Sequence, residues 1–404
     1  LIAGIAAYVR EQRPEISIIG VEPDDAACLQ AALRDGERTV LDRVGGFRLE
    51  PVLQADVIIL AAMPRWQAGT VALGDATNRI LRQAVVAERD QPPFDRVTMD
   101  GIAISHSDYV DGRRSFPIEA TQMAGEPARC LTAGSCIEIM TGASLPAGAD
   151  CIVPVERIRV ADGVATLEDG YVAEQRQFIH ARASDYAQGD ELLSPGRRIS
   201  PLDVAVIASA GLAEVDAAKS PVIRIVSTGD ELVPPGEPIA AHQVRMSNGP
   251  AIVAMLGSHG FHDALHEHVV DKREALEDRI AFHLEAADVI VLSGGVSMGK
   301  ADFVPEVLDR LGVRIVFHKV LQRPGKPMWF GLGPRGQAVF ALPGNPVSTL
   351  VCCRQYVIPA LGKASGELPP PKAFANLSEE VSFAPNLTCF LPVRVVTSAA
   401  GQSV

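Results

Sequence analysis

The stretch Asp288-Val289-Ile290-Val291-Leu292-Ser293-Gly294-Gly295-Val296-Ser297-Met298-Gly299-Lys300-Ala301-Asp302 decides how this chain is read. An apolar run of strand length passes directly into a glycine-bearing turn. That pattern marks a buried strand ending in a loop. The glycines let backbone N–H groups approach an anion, and a helix from Phe303 adds its N-terminal partial charge. Taken alone, the loop is either such an anion site or simply a tight strand-to-helix turn. Asp302 is either the N-cap of the following helix or a ligand for a metal or hydroxyl near a phosphate.

On either side of this stretch, residues 221–361 alternate strand and helix. Strands are expected at Val222–Val226, Leu265–Val270, Val289–Leu292, Val313–His318 and Ala338–Leu342. Helices are expected at Asn248–His259, Arg273–Ala286, Phe303–Leu311 and Val347–Leu361. Leu276, Ile280, Leu284 and Ala287 recur at helical spacing. Such alternation implies a mostly parallel sheet covered by helices, with ligands bound beyond the carboxyl ends of the strands.

Other loops fall at those same ends. Ser227-Thr228-Gly229-Asp230-Glu231-Leu232 places two adjacent carboxylates where Mg²⁺ and phosphate oxygens would meet them, or else forms a solvated acidic turn. Arg323-Pro324-Gly325-Lys326-Pro327 stiffens a loop carrying cations, and Lys319 precedes it. These groups suit phosphate or another oxyanion, although a purely structural turn stays open. Leu342-Pro343-Gly344-Asn345-Pro346-Val347-Ser348 is a third glycine loop.

The rest of the chain differs. Residues 51–90 predict a helix over Val52–Met63, a strand near Thr70–Leu73, and a second helix from Asp75 to Gln83 with Asp75 as its N-cap. From 91 to 195 short apolar runs alternate with Gly, Pro and Asp, as in a small all-β module. Its strands are expected at Gly101–Ser105, Phe116–Ala120, Ser135–Met140, Asp150–Val155 and Gly163–Leu167. A helix follows at Pro201–Ala210, capped by Ser200 with Pro201 in its first turn.

Bulk properties narrow the class. At 404 residues the chain is long enough for about two to four domains. A net charge of -12 argues against nucleic acid or an anionic membrane as a general partner. Any anion site must therefore gather its positive charge locally. The seven cysteines are scattered without a CxxC pair, so reduced cytoplasmic thiols are expected rather than disulfides or zinc. No apolar run approaches the roughly 18 residues needed to span a bilayer, and the N-terminus lacks the pattern of a signal peptide. His259, His262, His266 and His268 do not follow HExxH, and no carboxylate is suitably placed to complete a metal site.

From about Ala61 to Leu361 the chain resembles the molybdopterin molybdotransferases, including the gephyrin-type domains. The resemblance rests on Thr98-Met99-Asp100-Gly101, Met140-Thr141-Gly142-Ala143, Ser227–Leu232, Ser293–Asp302, Arg323–Pro327 and Leu342–Ser348, in that order along the chain. It implies an enzyme that inserts molybdate into adenylylated molybdopterin and releases AMP, with Mg²⁺ assisting. It implies catalytic roles for Asp302, Glu231, Asp100 and Asp271. Ser293, Gly294, Gly295, Ser297, Thr141, Asp185, Lys319, Arg323, Lys326, Pro343 and Asn345 would bind pterin, phosphate or molybdate. Glu231, Asp230 and Asp302 would hold the metal. Because the β module of this family reaches the active site of the other subunit, a homodimer is implied. Arg323 stands where many members carry lysine, and Lys300 stands where an acid is common.

The resemblance implies an α/β multidomain fold. A discontinuous linker or dimerisation domain would comprise 47–90 with 186–218. The β module would span 91–185, a molybdopterin-binding α/β domain with a mostly parallel sheet 219–364, and a partial C-terminal β domain 365–404. Residues 1–46 instead resemble an internal piece of the PLP-dependent threonine dehydratases, through Leu1–Val9 and Ile18–Pro23. The Schiff-base lysine and glycine-rich phosphate loop of that family are missing from this piece, so no PLP chemistry is expected. A fusion or gene junction near Gly46, and truncation after Val404, are the corresponding expectations. Two alternatives remain beside the transferase. One is a catalytically impaired pterin-binding scaffold. The other is a molybdopterin adenylyltransferase, which would account for 221–361 but not for the Asp100 and Thr141 motifs.

Overall fold

The computed structural model describes residues 50–295, 303–369, 386–393, 396–398 and 401–403. The threonine dehydratase-like segment, the junction near Gly46, Ser297, Lys300 and Asp302 all lie outside the described residues.

The chain enters through helix α1 (Glu50–Ala62) and strand β1 (Ala68–Ala72). The helix expected from Asp75 to Gln83 does not form. Leu73–Asp75 make a single 3₁₀ turn, and Asn78 adopts a positive φ of 66°. Beyond it, distant segments supply the backbone partners. The Leu81 amide donates to Arg197 O at 2.9 Å, and the Arg82 amide to Asp216 O at 2.8 Å. Once those pairings are made, the i→i−4 bonds of a helix are redundant. Asp75 accordingly caps nothing.

The β module contains β2 (Gly101–Ile104), β3 (Ser115–Gln122), β4 (Cys136–Ile139), β5 (Cys151–Pro154), β6 (Ile158–Ala161) and β7 (Val164–Leu167). They form one six-stranded sheet in the order β5-β2-β4-β3-β7-β6. Each strand contains or falls within an expected apolar run except β6, which was not foreseen. Ile102, Ile104, Phe116, Cys136, Cys151 and Val153 fill its core.

Helix α2 (Pro201–Ser209) begins as expected. Ser200 caps it in a capping box completed by Asp203, with Pro201 in the first turn. Strand β8 (Glu214–Ala218) then pairs antiparallel with β1, so segments far apart in sequence close one small unit. Leu81, Val85, Leu193, Ile199, Ile207 and Val215 share its core.

The α/β domain follows as β9 (Ile223–Thr228), α3 (Asn248–Ser258), β10 (Leu265–Val269), α4 (Arg273–Ala286), β11 (Val289–Ser293), α5 (Val304–Arg310), β12 (Arg314–His318), β13 (Trp329–Leu332), β14 (Ala338–Leu342), α6 (Pro346–Cys352) and α7 (Ile358–Ala364). The sheet order is β10-β9-β11-β14-β13-β12. β10, β9, β11 and β14 run parallel, whereas β13 runs against them and pairs antiparallel with both β14 and the edge strand β12. The sheet is therefore mostly parallel at its centre, as expected, while β13 was not foreseen. The single helix expected over Val347–Leu361 is two helices joined by a π-helical turn, Cys353–Val357.

Helices cover both faces. One core joins Ile225, Val291, Phe330 and Phe340 to Ile252, Tyr356 and Leu361, and α1 enters it through Val52 and Ile59. The other joins Val226, Ile290 and Leu292 to Leu276, Ile280 and Leu308. The chain turns one way from β9 to β10 and the other way to β11, so the strand order reverses between β9 and β11. That switch point opens a crevice at the carboxyl ends.

Candidate active site

A cleft of about 580 Å³ lies at this switch point. The end of β9 supplies Ser227 and Thr228, the loop after it Glu231, and the loop after β10 supplies Asp271. Ser293, Gly294 and Gly295 end β11, while Pro343, Gly344, Asn345 and Ser348 follow β14. Ser247 and Asn248 at the start of α3 line the cleft too, as does Pro327.

The register of the sheet creates the floor. Ser227 lies directly beside Ser293, and Ser293 beside Leu342. Ser227 Oγ meets His266 Nε2 at 2.9 Å, and His268 Nε2 reaches Gly229 O at 2.8 Å. These histidines brace the loop from beneath it. Burial, aided by the nearby His268, pushes the His266 imidazole below its ordinary value and keeps it neutral near pH 7. Among the described residues no group of three or more His, Cys, Asp or Glu side chains forms a metal cage.

Gly294 is required by the packing of this floor. Its φ is 98°, and a Cβ there would lie 2.5 Å from the Thr228 carbonyl oxygen. The two glycine loops thus come within backbone distance of each other.

The acids are organised by one another's loops. Thr228 Oγ1 donates to Asp271 Oδ1 in a short hydrogen bond. The Asp271 amide donates to Asp230 Oδ1 at 3.0 Å, which turns Asp230 toward the β10 loop. Glu231 and Asp271 line the cleft, whereas Asp230 does not. Arg245 is the basic side chain among the described lining residues, and its guanidinium donates to the carbonyls of Pro234 at 2.9 Å and Glu237 at 2.7 Å.

The predicted cations stand outside this wall. Pro327 lines the cleft, but Lys319, Arg323 and Lys326 are not among its described lining residues. Their loop is held by a buried network the sequence did not reveal. Gln322, fully buried, donates to Pro324 O at 3.1 Å and to Cys352 Sγ at 3.4 Å, and accepts a short bond from Tyr356 Oη. A Cβ on Gly325 would sit 2.5 Å from both Cys352 Sγ and Gln322 Nε2, at a φ of 94°. The Phe390 amide donates to Arg323 O at 2.8 Å, so the C-terminal segment also grips the loop.

Asn345 is engaged as the N-cap of α6, its Oδ1 accepting from the Ser348 amide at 3.2 Å. Asp100, Thr141 and Asp185 belong to the segment of the β module and are not among the cleft's described lining residues. Asp100 Oδ1 accepts from the Thr141 amide at 2.6 Å and from its hydroxyl at 2.7 Å. Asp185 pairs with His180 at 3.1 Å. All three are exposed.

Comparison with known proteins assigns this architecture. Residues 50–211 match the family described as "MoeA N-terminal region (domain I and II)", and residues 224–363 match "Probable molybdopterin binding domain". A molybdopterin molybdenumtransferase of Synechocystis sp. is 36% identical over 350 residues, covering 85% of this chain and 86% of that protein. This chain belongs to the molybdopterin molybdenumtransferase family. The Haemophilus influenzae molybdopterin molybdenumtransferase is 33% identical over 73% of this chain and 72% of its own length. Among solved structures, a molybdopterin biosynthesis moeA protein from Pyrococcus horikosii superposes with a TM-score of 0.66 at 27% identity. That superposition covers 79% of this chain and 81% of the other.

The cleft residues that sequence reasoning overlooked have weak local signals. Ser247-Asn248 opens an ordinary helix, and Arg245 sits in a two-residue strand, Val244–Arg245. Their roles become visible only when β9, β11 and β14 bring distant loops together.

Proposed function

We propose that this chain inserts molybdate into adenylylated molybdopterin and releases AMP. The observation that carries the reading is that one cleft at the sheet's switch point is lined both by Glu231 and Asp271 and by Ser293-Gly294-Gly295. Family membership supplies the reaction class.

The chemistry divides into two parts. As two Mo–S bonds form, the two dithiolene S–H protons leave with one molybdate oxygen as water. The phosphoanhydride between the pterin phosphate and AMP is hydrolysed. The Gly294 amide already donates to Leu342 O at 3.3 Å, so it is the next amide, that of Gly295, that suits a phosphate, because a fixed amide dipole needs no reorganisation when charge shifts. Ser227 and Ser293 offer hydroxyls beside it. Arg323 and Lys326 would attract molybdate toward the Pro327 wall, with Lys319 adding charge to the same loop.

The hard carboxylate oxygens of Glu231 and Asp271 face one space, which is the donor set Mg²⁺ takes together with phosphate oxygens and water. These two residues would hold the ion, with Asp230 steadying Asp271. Bound there, Mg²⁺ would neutralise charge on the phosphoanhydride. Asp302 and Ser297 keep the roles that the resemblance implies for them.

Asp100, Thr141 and Asp185 are exposed and stand apart from the cleft, which supports completion of each site by the β module of a second copy. The described cysteines are all free. No helix among the described residues is long and apolar enough to cross a membrane.

The test is to incubate the protein with adenylylated molybdopterin, molybdate and Mg²⁺, following AMP release and activation of a cofactor-free molybdoenzyme. Both should appear. Their joint absence from folded protein would remove the transferase reading.

A further inference from the structure

Asn248 is the first residue of α3 and lines the cleft. Its side-chain amide spends both hydrogens on the two glycine loops. Nδ2 donates to Ser293 Oγ at 3.0 Å and to Gly344 O at 2.8 Å. A backbone carbonyl can only accept, so the contact with Gly344 fixes which end of the amide is nitrogen. The other end, Oδ1, is buried and has no hydrogen-bond partner among the described residues. Buried acceptors in this condition are few in a folded domain, and each calls for an explanation.

We propose that Asn248 is a substrate-recognition residue whose Oδ1 accepts a hydrogen bond from an N–H or O–H donor of the bound substrate. Its amide meanwhile keeps the Ser293 and Gly344 walls at a fixed separation. The inference rests on the pterin-nucleotide reading of the cleft and adds a specificity to it. Ionised phosphate and molybdate carry acceptors only, so neither can satisfy Oδ1. The donor must come from the uncharged parts of the substrate. These are the amino and ring N–H edge of the pterin, or the amine and hydroxyls of the adenosine. A site built around such an acceptor rejects an analogue that lacks the donor, because the acceptor is then left buried and bare.

The experiment is a ligand-by-variant cycle on the full chain, read by pterin fluorescence and by calorimetry. One series compares 6-hydroxymethylpterin with its 2-desamino and N3-methyl analogues. The other compares AMP with N6,N6-dimethyl-AMP and 2′-deoxy-AMP. In one of the two series the wild-type protein should lose roughly tenfold in affinity when the donor is removed, the scale of a single buried hydrogen bond. In Asn248→Ala that discrimination should vanish, with both ligands bound alike. Asn248→Ser serves as the second variant if the alanine form does not fold, and should likewise lose the discrimination. The series that responds identifies the donor as pterin or adenosine. If wild type and variants discriminate equally, or if wild type binds both series without preference, the proposal is overturned while the pterin-nucleotide reading stands. If folded wild-type protein binds neither series, both fall together.

Discussion

Asp100 carries its chemistry on the surface of the β module, with its carboxylate held by the amide and then the hydroxyl of Thr141. Those donors favour the charged form and hold the carboxyl below the usual range. A depressed value contributes stability above the unfolded-state value. That contribution is lost as pH falls through the folded-state value. The expected behaviour is an Asp100 that stays ionised to a lower pH than an ordinary carboxyl. Replacing Thr141 by Val removes the hydroxyl and leaves the amide, so the titration measured by carboxyl-detected NMR should move upward toward the ordinary carboxylate value of about 3.9. An unmoved titration would show that the hydroxyl does nothing for the charge.

The thiols divide as sharply as the acids. Burial pushes the thiols of Cys136, Cys151, Cys352 and Cys353 up to about 12, whereas Cys130 is exposed. Thiolate is the reactive species, so these buried thiols are inert at neutral pH. Brief alkylation of native protein followed by peptide mass spectrometry should label Cys130 and spare those four. Labelling of Cys352 or Cys353 in native protein would contradict the packing around the Gln322 network.

At the level of elements, local pattern was enough wherever an element depends on its own residues. Val289–Leu292 is apolar, the strand is buried throughout to Ser293, and its glycine turn lies where the pattern placed it. The Ser200–Asp203 capping box likewise needs only neighbours. Elements whose partners are remote were not legible. Residues 76–83 looked helical until segments near 197 and 216 claimed their amides. Trp329–Leu332 became a strand because β14 on one side and β12 on the other offered it ladders. In the site, the glycine loops and Glu231 could be read from local pattern, and Asp271 through the resemblance. Asn248 could not, since its partners Ser293 and Gly344 lie 45 and 96 residues away.

The Arg323–Pro327 loop shows the same dependence on remote partners. Its shape is set by Gln322, which lies beneath it, and by Tyr356 and Cys352 from the far helices. Replacing Gln322 by Leu would strip the buried Tyr356 hydroxyl of its acceptor, costing about 1–3 kcal/mol. The loop would then present its cations less firmly. The expected outcome is a molybdate KM raised several-fold, with the KM for the pterin nucleotide little changed and Tm lowered. Equal changes in both KM values would assign Gln322 to general stability instead of to the loop.

Across the whole molecule, the chemistry-bearing residues sit in two places that one chain does not bring together. Glu231 and Asp271 belong to the α/β cleft, while Asp100 and Thr141 lie on the exposed turns of the β module. If a second copy carries its module to the first copy's cleft, a closed twofold arrangement builds two equivalent sites, each from both chains. A subunit with Asp100→Ala then retains an intact cleft, and a subunit with Asp271→Asn retains an intact module. Each variant alone should be nearly inactive. Mixed after reversible dissociation, they should form dimers in which one site combines two unaltered halves. Random pairing makes half of the dimers mixed, so about a quarter of wild-type AMP release should return. Sedimentation should report twice the chain mass for every species. Recovery of no activity from well-folded mixed dimers would place Asp100 and Asp271 in one chain's site, and a monomer in sedimentation would remove the shared-site arrangement altogether.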